Sequence, residues 1–117
     1  MKHFRYIRAV RISRECMNYL SKQDHSTIKK FDYSIQILRE QKVVHSSLVK
    51  KLIGTDFYEL RITTRNEHRI ILFTIDHESF VECREVLLLN GFMKKSTKEY
   101  RRAVEKARKL RTKYIGR

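Results

Sequence analysis

The stretch Tyr58-Glu59-Leu60-Arg61-Ile62-Thr63-Thr64-Arg65-Asn66-Glu67-His68-Arg69-Ile70-Ile71-Leu72-Phe73-Thr74-Ile75 decides the fold. In its first six residues apolar and polar side chains alternate, the signature of a strand with one buried face. Thr64 to Glu67 reads as a turn centred on Asn66. From Arg69 to Ile75 the chain is apolar on both faces, so this segment reads as a central strand covered on both sides. A strand, a short turn and a second strand make an antiparallel hairpin, and the fold is expected to be α+β around an antiparallel twisted sheet. Asp76-His77-Glu78 turns the chain again, and Phe80 to Leu89 reads as one more strand that ends at Asn90-Gly91.

Upstream, Phe4, Tyr6, Ala9/Val10 and Ile12 suit an opening strand over residues 4–12. Ser13 is placed to cap a helix whose apolar face carries Cys16, Met17 and Leu20. A second helix is expected over residues 26–41, where Ile28, Phe31, Ile35 and Leu38 step by three and four. A short third piece with Leu48, Val49 and Leu52 ends at Gly54, which reads as a C′ glycine. Downstream, Tyr100, Ala103/Val104, Ala107, Leu110 and Tyr114 form one stripe at helical spacing, and Lys or Arg covers the remainder. That pattern is a basic amphipathic helix.

With 117 residues the chain is one domain, residues 1–117, large enough for a single core. There is no proline and only three glycines, so long elements with short connections are expected. Charges interrupt every apolar run, so no secretory or membrane-spanning segment is read, and a cytoplasmic location with no membrane partner is expected. The two cysteines, Cys16 and Cys83, have no metal-ligand spacing and read as reduced thiols.

The net charge of +14 is the dominant compositional fact. Self-repulsion of that size is offset by a polyanionic partner, and nucleic acid is the commonest one; an acidic protein or a membrane surface is the alternative. Residues 92–117 hold eleven Lys or Arg against two acids, Glu99 and Glu105, and so carry +9 of that total. A run of charges on a helix is ordinarily a solvated face, but runs of one sign such as Lys94-Lys95 with Lys98, and Lys106 with Arg108, Lys109 and Arg111, repel one another unless something neutralises them. No Gly-rich phosphate loop, HExxH or paired-cysteine motif is present, and no metal or cofactor is expected. The five histidines are scattered and read singly as incidental polar residues. His68 is the exception worth following, because it adjoins Arg69. On an antiparallel hairpin Arg61 and Arg69 lie on neighbouring strands, and Lys94 and Lys95 leave the end of the next, so several cations can converge on one spot.

The order of Leu52 to Gly54, Glu59-Leu60-Arg61, His68-Arg69-Ile70, Leu88 to Lys95, and a basic helix with Ala103 and Ala107 resembles the RelE/HigB toxin family of type II toxin–antitoxin systems, in its phage-derived HigB-like branch. The resemblance covers residues 50–110 and rests on motif order rather than on any one motif. Two positions depart from the branch: His68 stands where it has Tyr, and Thr97-Lys98-Glu99 replaces a Lys-Thr-Pro that starts the helix.

The resemblance implies a small RelE-like domain with two N-terminal helices and a basic C-terminal helix. It also implies a ribosome-dependent mRNA endoribonuclease that uses no metal, in which the ribose 2′-hydroxyl attacks the adjacent phosphate. By correspondence Arg69 and Lys94 contact the scissile phosphate, Arg61 adds a cation, Tyr100 is a functional tyrosine, and Lys95 positions phosphate. Glu59, or a lysine of the cationic cluster, is the proton carrier, and the sequence does not choose between them. Lys98, Arg101 and Arg102 continue the RNA-binding surface. The implied partners are mRNA on the ribosome, ribosomal RNA and a cognate antitoxin, an acidic protein of helix-turn-helix type. A toxin of this fold with a gyrase-type target, or a non-enzymatic nucleic-acid-binding module, is the competing reading.

Overall fold

The computed structural model describes residues 6–117. The chain runs β1 (Ala9–Ile12), α1 (Arg14–Ser21), α2 (His25–Glu40), β2 (Val49–Lys51), β3 (Phe57–Thr63), β4 (Glu67–Thr74), β5 (Glu85–Met93) and α3 (Lys98–Ile115). The five strands form one sheet in the order β1-β5-β4-β3-β2. The sheet is mixed rather than wholly antiparallel as expected, because β1 pairs with β5 in parallel while the other three pairings are antiparallel. The parallel pair arises because the chain reaches β5 only after the β2–β3–β4 meander has been laid down on the far side of it.

The pleat divides the core in two. Leu60, Ile62, Ile70, Leu72, Val86 and Leu88 face α1 and α2. Phe57, Ile71, Leu87 and Leu89 face α3, against Ala103, Val104, Ala107 and Leu110. Residues of β4 contribute to both layers, which is why its sequence is apolar without alternation. Ser13 caps α1 by accepting from the Cys16 amide, and Asp24 caps α2 by accepting from the Thr27 amide. Met17, placed on the apolar face of α1 by its spacing, is half exposed.

Four local readings are corrected. The opening strand is confined to Ala9–Ile12. Arg8 ends it on the N-terminal side by burying its guanidinium, which donates to the carbonyls of Leu38, Gln41, Lys42 and Phe80; Phe4 lies outside the described residues. The piece ending at Gly54 is edge strand β2, not a helix. Its backbone is satisfied by β3, as in the bond from the Leu52 amide to the Phe57 carbonyl (3.0 Å), and Gly54 has its positive φ of 79° in the β2–β3 turn.

The last strand starts at Glu85, not Phe80. The Asp76 carboxylate accepts from the Arg84 and Glu85 amides and holds residues 79–84 as a turn. The strand also runs through Asn90-Gly91 instead of ending there. A bulge shifts the register so that Ile71 opposes Asn90 while Leu72 opposes Leu88. The bulge reverses the side-chain parity of the strand, so that Asn90 faces α3 and donates to the Ala103 carbonyl (3.1 Å).

Candidate functional site

The bulge in β5 aligns one end of the sheet under α3. Arg61 and Arg69 are direct cross-strand partners, and Phe92 opposes Arg69 on the next strand. All three share the α3 face. Glu59 precedes Arg61 by two residues, so the pleat puts its carboxylate on the same face. Tyr100, in the first turn of α3, descends onto this patch, with its ring edge-to-face against Phe92 at 5.1 Å.

Arg69 is the centre of the cluster and is buried. Its Nε donates to the Tyr100 hydroxyl (3.1 Å), one terminal nitrogen donates to the His68 carbonyl (3.0 Å), and the other donates to Glu67 Oε2 (2.5 Å). Burial works against its charge, but the bonds to Glu67 and Tyr100 outweigh that and hold its pKa above the ordinary value. Glu59 is also buried. Its Oε1 lies 3.3 Å from Arg61 Nε and 3.9 Å from Arg69 Nε, and its Oε2 has no hydrogen-bond partner among the described residues. Burial and the neighbouring Glu59 carboxylate raise the Tyr100 pKa against the opposing pull of Arg69, so the phenol keeps its proton at neutral pH.

Lys94 stands at the mouth, half-buried, with Nζ 5.9 Å from the Tyr100 ring centre. Its amide donates to the Glu67 carbonyl (2.8 Å), which ties the start of β4 to the end of β5. Lys95, Lys98, Arg101 and Arg102 are exposed, and the last three share one recess with Thr97 on the outer side of α3. Thr97-Lys98-Glu99, where the family pattern has a helix-starting proline, is compensated by Glu99. Its carboxylate accepts from the amides of Lys95 (2.6 Å) and Ser96 (2.8 Å) and from the Ser96 hydroxyl (2.5 Å). The hydroxyl bond and the Lys95 amide bring its pKa down to about 2.

The structure thus brings Glu59, Arg61, Arg69, Lys94 and Tyr100 together and leaves Lys95, Lys98, Arg101 and Arg102 as a solvated surface beside them. His68 is not among them. It points to the opposite face of the sheet, where Nδ1 bonds the Tyr19 hydroxyl (2.7 Å). Burial, aided by the Arg69 charge, lowers its pKa, so it sits there as a neutral ring. Glu67 is the residue that sequence reasoning missed. It looked like the end of a turn, and only the hairpin geometry shows that it covers Arg69. Among the described residues no group of three or more His, Cys, Asp or Glu side chains is placed to hold a metal ion, and no helix is long and apolar enough to cross a membrane.

A buried guanidinium fronted by a removable carboxylate, a second arginine, a half-exposed lysine and a neutral phenol make a site suited to binding a phosphodiester and stabilising added negative charge. Comparison with known proteins bears on this arrangement in two ways. No curated protein matches by sequence. Among solved structures, a double arginine-to-alanine mutant of E. coli toxin RelE in the free state superposes with a TM-score of 0.60 at 16% identity, over 87% of this chain and 97% of that one. The fold is therefore that of RelE. A family model described as phage-derived protein Gp49-like matches residues 18–112, nearly the whole described chain, and the protein belongs to that Gp49-like family.

Proposed function

We propose that this chain is the toxin of a type II toxin–antitoxin pair, an endoribonuclease that cuts mRNA on the ribosome without a metal and so inhibits translation. The observation that carries the reading is the convergence of Arg61, Arg69, Lys94, Tyr100 and Glu59 at one end of the sheet, on a fold shared with a toxin.

In this reading the 2′-hydroxyl attacks the adjacent phosphorus, the bond from phosphorus to the 5′-oxygen breaks, and a cyclic phosphate and a 5′-hydroxyl result. Charge builds on the non-bridging oxygens as the phosphorus gains its fifth ligand. Lys94 meets that charge from the open side. The terminal nitrogen of Arg69 meets it by exchanging Glu67 for phosphate, and Arg61 completes the positive wall. Glu59 Oε2, which lacks a partner among the described residues, is the acceptor for the 2′ proton. Tyr100, held neutral, is the donor to the leaving 5′-oxygen. Lys95, Lys98, Arg101 and Arg102 hold flanking phosphates of mRNA or ribosomal RNA. The partner that silences the toxin is an acidic antitoxin of helix-turn-helix type, whose charge neutralises the same groove.

A primer-extension map of a reporter mRNA in a translating extract tests this. Cuts at codon-phased positions are expected, absent when translation is blocked. Lys94→Ala and Tyr100→Phe should each slow cutting by roughly 10²-fold; Lys94→Ala should leave the melting temperature unchanged, whereas Tyr100→Phe should lower it, because it removes the acceptor of the buried Arg69 Nε. RNA bound but never cut would overturn the nuclease and leave a binding module; intact mRNA with damaged chromosomal DNA on induction would select a gyrase-type target.

A further inference from the structure

A recess of about 430 Å³, lined in part by Tyr100, lies between the β2–β3 turn and the N-terminal half of α3. Its volume falls in the roughly 300–1,000 Å³ range of small-molecule clefts. Leu52, Ile53 and Val104 form an apolar side, and Arg101, Arg108 and Glu105 form a charged one. Ile53 is 94% exposed. Among the described residues nothing covers it, although removing a branched aliphatic from water is favourable.

The turn that presents Ile53 is nevertheless firmly built. The Thr55 hydroxyl donates to the Leu52 carbonyl (2.8 Å) and accepts from the Phe57 amide (3.0 Å), while Gly54 takes the left-handed conformation. An exposed apolar side chain on a hydrogen-bonded turn, lining one recess with Arg101 and Arg108, is a surface suited to a flat, amphipathic ligand that travels with negative charge.

We infer that this recess binds a nucleobase of the RNA next to the nucleotide whose phosphate sits at Arg69. The inference rests on the ribonuclease reading for its substrate but concerns a separate contact. Tyr100 is shared between the two sites: its hydroxyl bonds Arg69, and its side chain lines the recess. A single nucleotide therefore reaches from one to the other. The base lays one face on Leu52 and Ile53, and Arg101 or Arg108 stacks on it as a planar cation. Glu105, on the same wall, can accept from an exocyclic amino group, which selects cytosine, adenine or guanine over uracil. An acidic peptide would satisfy the arginines but would place like charge beside Glu105.

The test reads binding without cleavage. The full chain is titrated with a 2′-O-methyl RNA hexanucleotide, with one base removed at each position in turn, and fluorescence anisotropy gives the affinity. One abasic position should cost the wild type about fivefold, the effect of one stacked base at the low end of its range. Ile53→Ser should bind the intact oligonucleotide about fivefold more weakly and show no further loss at that position. Its melting temperature should match the wild type, because the side chain is already in water. Equal binding of every abasic oligonucleotide by the wild type, or a positional loss that persists in Ile53→Ser, overturns the subsite. Failure of the wild type to cut mRNA, with the positional loss present, would instead remove the ribonuclease reading and leave the base contact standing.

Discussion

Arg69 and Glu67 show how a residue's meaning changes once its neighbours are known. In sequence Arg69 is a free cation two residues into a strand. In the structure all three of its nitrogens are engaged, and replacing it with Ala would leave a cavity and remove one of the two guanidiniums beside the buried Glu59 carboxylate, so loss of activity in that variant would be confounded with loss of stability. The informative change is at Glu67, the outermost partner, which is nearly half exposed. In the ribonuclease reading its carboxylate must leave before phosphate can reach that guanidinium nitrogen. Glu67→Gln should therefore tighten binding of a non-cleavable RNA by about fivefold, measured against Glu40→Gln, which removes an equal charge at the far end of α2. Equal effects in the two variants would mean that Glu67 acts only through net charge.

Elements meet at two places that decide whether the site is held in register. Gly91 of β5 passes directly under Tyr19 of α1, and a Cβ there would lie 2.4 Å from the ring. Tyr19 cannot swing away without breaking its bond to His68, the neighbour of Arg69. Gly91→Ala should destabilise the fold by about 1–3 kcal/mol in a denaturant titration, and a neutral result would show that Tyr19 is free to move.

At the other end, Glu15 of α1 accepts from the Tyr114 hydroxyl (2.6 Å) and from Lys113 (2.9 Å) of α3, which fastens the helix that carries Tyr100. The Tyr114 bond, then Lys113, lowers the Glu15 pKa from 4.5 to about 2. A depressed carboxylate pKa stabilises the fold above its unfolded value and loses that contribution as pH falls through the folded one. The stability gap between wild type and Glu15→Gln should accordingly be full above pH 4.5 and close between there and about pH 2. A gap independent of pH would place the effect in packing rather than in charge.

For the whole molecule the governing quantity is the asymmetry of the +14 charge, most of it on and just before α3. The sheet needs the apolar stripe of that helix, and the outer face is free to carry Lys and Arg. Binding to single-stranded RNA should weaken linearly in log salt, and each phosphate contact should contribute about 0.7 to the slope. Arg102→Ala should lower the slope by about that amount while leaving base preference unchanged; a change in preference without a change in slope would make Arg102 a reader of bases.

The sequence by itself determined the type of every element but β2, the two-sided burial of β4 and the position of α3, because side-chain period and helical spacing are local properties of the chain. It also put Arg61 and Arg69 on neighbouring strands of one hairpin, and the structure made them direct cross-strand partners. Tertiary structure alone decided the rest. Asn90-Gly91 has the chemistry of a turn, yet it continues as strand because β4 pairs with it and the bulge turns Asn90 toward α3. Leu48 to Leu52 is too short for period to separate helix from strand, and pairing with β3 made the choice. His68 and Arg69 are adjacent in sequence but face opposite sides of the sheet, so one joined the site and the other joined the core. The cover that Glu67 places over Arg69 and the recess beside Tyr100 are contacts between segments distant in the chain or across a hairpin. They come into being only when the sheet and α3 close on each other.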